Sequence, residues 1–236
     1  MTLSVEEKLM YAVMKAIHDS GIPVSFKGSM VLKACLAEVG FADEIRHTVD
    51  IDANWISDDW PSMEQLTESL QNAVNAVGIK ITAYRPYGET RSAGFEIRDN
   101  EHGNLLFTID MDVNRPISST KIYSIDGFQF RGVVPTQMIA DKLSVLSTDK
   151  VFRRIKDVVD LYYLSRVFVF DKQSVLQTLE ANGRILGTFQ EFLSREADLR
   201  HSYDKFRFSG AVQKPSFDEV YRSVKNFIQE VLPPVP

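Results

Sequence analysis

The apolar residues of this chain change period once, near Pro135, and no feature limits its fold more. Across 79–131 they alternate with polar ones, as in Ile79-Lys80-Ile81 and Phe95-Glu96-Ile97. That period of two belongs to half-buried strands. Residues 79–84 read as one strand, and 94–98 and 105–113 flank a turn at 99–104 that contains Gly103. Residues 121–125 and 128–131 flank Asp126-Gly127, a strong two-residue hairpin signal. After Pro135 the alternation stops. Helical patterns follow at 136–147, 151–167, 172–181, 184–203 and 217–231, the last opened by Ser216-x-x-Glu219 and closed before Pro233-Pro234.

Ahead of the strands the punctuation is equally readable. Ser4-x-x-Glu7 is a capping box for a helix carrying Leu9, Met10, Val13, Met14 and Ile17, with Gly21 as its stop. Residues 23–26 read as extended, 29–39 as a second helix ended by Gly40, and 48–55 as a strand. Pro61 and Ser62-x-x-Gln65 open a third helix with Leu66, Leu70, Val74 and Val77 on one face. The expectation is an α/β (α+β) fold, a mixed sheet with flanking helices over 1–134, then an all-helical domain over 135–236 that completes a cleft.

Charge follows the same division. Residues 1–134 hold 12 Lys+Arg against 19 Asp+Glu, whereas 135–236 hold 15 against 13. Lys142, Lys150, Arg153, Arg154 and Lys156 cluster against Asp149 alone. An acidic half for cations and a basic patch for anions suit phosphate chemistry; a solvated helix face is the plainer alternative. The single cysteine, Cys35, excludes an intrachain disulfide and a cysteine metal cluster, and its apolar neighbours read as a buried thiol. With no signal-like start and no apolar run long enough to span a bilayer, the expected setting is cytoplasmic.

The chemistry concentrates at two places. Lys27-Gly28-Ser29 opens a helix, where backbone N–H groups and the helix dipole favour an anion. Gly28 lets a phosphate approach the backbone, and the Ser29 hydroxyl can donate to it; Lys27 and Lys33 offer charge. Then Arg46-His47-Thr48-Val49-Asp50-Ile51-Asp52 carries two carboxylates at i and i+2 on a strand, with Val49 and Ile51 expected in the core. Paired carboxylates repel unless a cation neutralises them, and Mg²⁺ (or Mn²⁺) prefers carboxylate and phosphate oxygens. A two-metal displacement wants a third carboxylate, and Asp110 and Asp112 supply candidates on one face of a later strand. Each part has a plain reading: Gly-Ser as a helix cap, Arg46 as a brace for the turn, Trp55 and Trp60 as packing. Only the joint order points to a nucleotidyl transferase. His18, His47, His102 and His201 lack metal-ligand spacing, and no Walker loop, nucleophile elbow or dinucleotide fingerprint is present.

These residues resemble the AbiEii/AbiGii-type nucleotidyl transferase toxin family of type IV toxin–antitoxin and abortive-infection systems. Phe26-Lys27-Gly28-Ser29-Met30-Val31-Leu32 is similar to its glycine element, with Ser29 in place of a second glycine. Arg46-x-Thr48-x-Asp50-Ile51-Asp52 matches its Arg-x-Ser/Thr-x-Asp-hydrophobic-Asp element. The strand ending Asp112-Val113-Asn114 resembles its third-carboxylate strand, which selects Asp112 over Asp110. Ala140-Asp141-Lys142-Leu143 resembles its Glu-Lys-Leu helix, and Arg153-Arg154-Ile155-Lys156-Asp157-Val158-Val159-Asp160-Leu161 its Arg-x-Lys-Asp-x-x-Asp-Leu helix.

The resemblance implies Mg²⁺ on Asp50, Asp52 and Asp112, and an NTP bound by Gly28, Ser29, Arg46, Thr48 and Lys142. It implies Lys142, and Asp157 and Asp160 as a helical acidic motif, among the catalytic residues, with ion pairs along the helix (Arg153 to Asp157, Lys156 to Asp160) as the structural alternative for the two carboxylates. The expected reaction moves an NMP from an NTP to an acceptor hydroxyl with release of pyrophosphate, in a site between the two domains. Arg153 and Arg154 would receive an RNA backbone, tRNA first, and a cognate antitoxin is the implied partner. A small-molecule nucleotidyl transferase, a catalytically silent interaction module and a metal-dependent phosphohydrolase are the rivals.

Overall fold

The computed structural model describes residues 3–41, 48–59, 61–86, 92–113, 119–148, 151–208 and 214–231. The chain divides into two compact units, Met1–Glu38 with Thr48–Val133, and Val39–His47 with Val134–Pro236.

The first unit is built on a seven-stranded mixed sheet. Its strands are β1 (Val24–Lys27), β2 (Asp50–Trp55), β3 (Ile79–Arg85), β4 (Ser92–Asp99), β5 (Leu105–Asp112), β6 (Thr120–Ile125) and β7 (Phe128–Val133), in the order β3-β4-β5-β2-β1-β7-β6. β2 runs parallel to β5 and antiparallel to β1, and β1 runs parallel to β7. The hairpin between β6 and β7 turns on Asp126 and Gly127, both at positive φ (49° and 83°), the pairing that a two-residue turn requires.

Alternation gives this sheet two chemically opposed faces. Ile51 and Ala53 of β2, Ala93, Phe95 and Ile97 of β4, and Ile109 and Met111 of β5 are all fully buried. Between them Asp50, Asp52, Thr108, Asp110, Asp112, Ser92 and Glu96 form a half-buried polar face. Among the described residues three α-helices accompany the sheet, α1 (Val5–Asp19), α2 (Gly28–Ala37) and α3 (Met63–Val74), the last followed by a 3-10 turn over Asn75–Val77. Two of the three expected capping boxes are complete, Ser4 with Glu7 and Ser62 with Gln65, each pair exchanging backbone-to-side-chain bonds of 2.9 and 3.1 Å. α1 packs on β7, its Tyr11 ring 5.7 Å from Phe130 and its hydroxyl donating to Met30 O at 2.9 Å. Cys35 is buried, and burial pushes its thiol up to about 12, so it stays protonated and inert.

The second unit is helical: α4 (Pro135–Leu146), α5 (Ile155–Val167), α6 (Lys172–Ala181), α7 (Gln190–Ser194), α8 (Glu196–Lys205) and α9 (Phe217–Val231). α5 packs against both α4 and α9, and α6 against α4. Ser216 caps α9 through the Glu219 N–H at 3.2 Å, but the Glu219 carboxylate bonds Tyr162 and Arg166 instead of closing a box. No helix among the described residues is long and apolar enough to cross a membrane.

Three further expectations need correction. The pattern over 151–167 is not one helix: a single 3-10 turn over Val151–Arg153 precedes α5, and Arg154 breaks the run with φ −112°. The pattern over 184–203 divides into α7 and α8, with residues 184–189 outside any helix. Phe189 before α7 holds φ 56° while its ring is almost fully buried, so ring burial overrides helix propensity there. Val49, expected in the core, is exposed, because β2 starts only at Asp50.

Candidate nucleotide and carboxylate site

The turn from β1 into α2 meets the middle of β2. Lys27 pairs with Asp52 across the β1/β2 ladder, and Gly28 follows with φ +71°. A Cβ on Gly28 would stand 2.1 Å from Asp52 Oδ2, so only glycine brings this backbone onto that carboxylate. Among the described residues no side chain caps the start of α2. Ser29, which could have capped it, turns its buried hydroxyl to Thr48 Oγ1 at 2.5 Å. Thr48 in turn donates to Asp50 Oδ1 at 3.1 Å. One hydrogen-bonded line therefore joins the glycine turn to the first carboxylate of the Asp-x-Asp pair, and among the described residues no side chain takes the first-turn amides of α2, where an anion is favoured.

Asp50, Asp52 and Asn54 alternate onto one face of β2. Parallel pairing with β5 sets Asp52 opposite Asp110 and Asn54 opposite Asp112. Asp112 receives the Lys27 ammonium at 2.6 Å and the Ser92 hydroxyl at 3.1 Å. Asp110 receives the Arg85 guanidinium at 2.6 Å and the Tyr84 hydroxyl at 3.1 Å. Among the described residues no three His, Cys, Asp or Glu side chains converge closely enough to hold a metal ion. The donors nonetheless fit a hard divalent cation: Asp50 and Asp52 share a face, and Asn54 Oδ1 beside them is buried with no partner among the described residues. Lys27 on Asp112 is the competitor such a cation would face.

The second constellation lies within the helical unit. Lys142 of α4 bonds Asp157 Oδ1 at 2.7 Å and Asp160 Oδ2 at 2.8 Å, both on α5. The Lys142 and Asp157 side chains are only 16% and 12% exposed and that of Asp160 only 1%, so their charges are held by one another and not by water. Burial works against the Lys142 charge, but Asp160 and Asp157 outweigh it and hold the ammonium well above its ordinary value. The alternative of pairs along α5 is thus not the main account of these two carboxylates. Asp141 takes Arg184 at 2.9 Å. Arg153 and Arg154 are exposed.

Arg46 lies outside the described residues, as do His47 and Trp60. Lys33 belongs elsewhere: it pairs with Glu7 of α1 at 2.5 Å. Tyr84, Arg85 and Ser92 escaped the sequence reading, because no local pattern announces that they reach the carboxylates of β5.

The family profile described as nucleotidyl transferase AbiEii toxin, type IV toxin–antitoxin system, matches residues 9–223. Among solved structures, MenT4, a nucleotidyltransferase toxin from Mycobacterium tuberculosis, aligns with a TM-score of 0.53 at 13% identity, over 96% of this chain and 83% of that one. An antigenic nucleotidyltransferase-like protein from Paracoccidioides brasiliensis aligns with a TM-score of 0.51 at 16% identity, over 89% and 97%. At such identities the likeness is one of fold. No curated protein matches. The profile spans nearly the whole chain, from α1 into α9, and takes in both constellations: this protein belongs to the AbiEii nucleotidyl transferase toxin family of type IV toxin–antitoxin systems.

Proposed function

We propose that the protein is a divalent-metal-dependent nucleotidyl transferase that moves an NMP from an NTP to an acceptor hydroxyl and releases pyrophosphate. The observation that carries this reading is the contact between Gly28 and Asp52, which sets an anion-binding helix start against a paired carboxylate strand. Asp50 and Asp52 would hold Mg²⁺ (or Mn²⁺), with Asp112 as the third carboxylate that the family resemblance selects. When bound, the metal supplies Lewis-acid polarisation of the phosphates and lowers the pKa of an attacking oxygen.

The chain's own residues do the rest. The amides at Gly28 and Ser29 receive the triphosphate, and Thr48, with Arg46 by resemblance, braces that turn. Lys27 is a cation held at the edge of the same face and exchanges Asp112 for phosphate oxygens. Lys142, kept charged by Asp157 and Asp160, adds the triphosphate contact that the resemblance implies. A carboxylate of the set takes the proton of the acceptor hydroxyl as the α-phosphorus bond forms and pyrophosphate leaves.

For the acceptor we propose RNA, tRNA first, with Arg153 and Arg154 as weak backbone contacts, and for the partner a cognate antitoxin. The test incubates the purified protein, and an Asp50→Ala/Asp52→Ala variant, with Mg²⁺, total tRNA and each labelled NTP in turn. Label on RNA with the native protein alone supports the reading. Tight NTP binding without transfer to RNA points to a small-molecule acceptor.

A further inference from the structure

A bulge on β3 builds an aromatic and cationic station beside the carboxylates. The β3/β4 register shifts between Ala83 and Arg85, so Tyr84 is the extra residue, and Tyr84 and Arg85 both reach the polar face where strict alternation would send them apart. Gly94 of β4, which lies between Arg85 and Asp110 in the ladder, makes room: a Cβ there would stand 2.5 Å from Tyr84 Cζ. The Tyr84 ring therefore crosses β4 and its hydroxyl bonds Asp110 Oδ1 at 3.1 Å, with Arg85 on the same oxygen at 2.6 Å. Tyr84 as a residue remains 46% exposed, and the Arg85 side chain 41%. Arg85 stacks beside Tyr84, its guanidinium carbon 5.6 Å from the ring centroid, while its Nε is buried. Two local irregularities, a bulge and a glycine beneath a ring, thus bring an aromatic ring and a partly exposed guanidinium together.

Sheet order says what approaches there. The triphosphate-binding turn lies on the β1 side of Asp52, while β5, β4 and β3 lie on the other. In-line displacement puts the attacking hydroxyl opposite the leaving pyrophosphate, so the acceptor arrives from the β5–β4–β3 side. We propose that Tyr84 and Arg85 form the acceptor subsite, with the Tyr84 ring stacking on a base at the end of a single-stranded polynucleotide and Arg85 meeting its backbone phosphate. This rests on the nucleotidyl transfer proposed above. The ring offers a face that any base fits, and the guanidinium a planar donor fork suited to phosphate.

The test measures binding of total tRNA by fluorescence anisotropy, NTP affinity, and transfer kinetics where transfer occurs. Tyr84→Ala is expected to weaken tRNA binding by about tenfold, the scale of one lost base stack, with NTP affinity unchanged. Tyr84→Phe retains the stacking face and binds tRNA as the native protein does. Arg85→Gln lowers the salt dependence of tRNA binding by about one phosphate contact. Native protein that transfers label while Tyr84→Ala keeps full tRNA affinity overturns the subsite and leaves the transferase standing. Native protein that binds tRNA through Tyr84 without transferring label to it overturns the acceptor assignment and counts against the transferase reading as well. Native protein that does not bind tRNA overturns the subsite, as does a Tyr84→Phe variant that fails as Tyr84→Ala does.

Discussion

Gly28 and Asp52 stand so close that a single added methyl group on Gly28 would fall 2.1 Å from the carboxylate oxygen. Lys27 pairs in register with Asp52, so the start of α2 projects from the ladder directly over the second carboxylate of the Asp-x-Asp strand. Two elements that are unremarkable apart become one site because a residue without a side chain separates them. Glycine also supplies the φ of +71° that this turn uses.

Gly28→Ala is therefore expected to be costly twice over. The left-handed backbone alone costs about 1–2 kcal/mol for a residue with a Cβ, and the clash displaces Asp52. Urea unfolding is expected to show a loss of about 2 kcal/mol or more, and transfer activity is expected to vanish. Unchanged stability with intact activity would mean that the turn relaxes freely and is not held against Asp52.

Lys142→Met leaves Asp157 and Asp160 as buried carboxylates without their shared cation. A loss of about 3–5 kcal/mol is expected, mostly recovered when Asp157→Asn and Asp160→Asn are added. The charge also sets a pH rule. An unfolded lysine titrates near ~10.4, and the folded Lys142 lies above that value. Its contribution is complete below pH ~10.4 and fades as pH climbs through the folded value. The stability gap between native protein and Lys142→Met is expected to stay flat around neutral pH and shrink only in strong alkali, as read by urea unfolding across pH.

Glu7 behaves in the opposite sense. Burial would raise its pKa, but hydrogen bonds from Lys33 and Ser4 outweigh it and hold the carboxyl below its ordinary value. Its contribution is present above pH ~4.5 and is lost as pH falls through the folded value. Glu7→Gln is expected to flatten the acid limb of a stability–pH curve while changing transfer little, since Glu7 and Lys33 brace α1 against α2, away from the carboxylates. An unaltered acid limb would remove Glu7 from the account.

Thr48→Val cuts the line from Ser29 to Asp50 at its centre. About 1–3 kcal/mol of stability is expected to go, because the buried Ser29 hydroxyl loses its partner. The Mg²⁺ concentration needed for half-maximal transfer is expected to rise as Asp50 loosens. Thr48→Ser is expected to restore both, and titration of transfer against Mg²⁺ checks it.

Much of this was legible from residues that act on their near neighbours. Ser4 with Glu7, Ser62 with Gln65, and Asp126-Gly127 specify their caps and turn within four positions, and the structure places each as read. Asp50 and Asp52 share a face because strand geometry leaves no other choice. What escaped depends on partners distant in sequence. The partners that the bulge at Tyr84 meets, Gly94 and Asp110, lie across two other strands. Lys27 and Asp112 are 85 positions apart. The break before α7 follows from burial of the Phe189 ring, which a helical period cannot announce. Lys142 was read as a phosphate contact, while its two carboxylates emerged only when α4 met α5.

The central claim is that Asp50 and Asp52 serve nucleotidyl transfer. The most direct measurement is label transfer from each [α-³²P]NTP to total tRNA in Mg²⁺, by native protein and by Asp50→Asn/Asp52→Asn. Both proteins should first be shown to unfold at the same urea concentration. The account predicts labelled RNA and pyrophosphate from the native protein with one NTP or more, and neither from the variant. Equal labelling by a folded variant would contradict it.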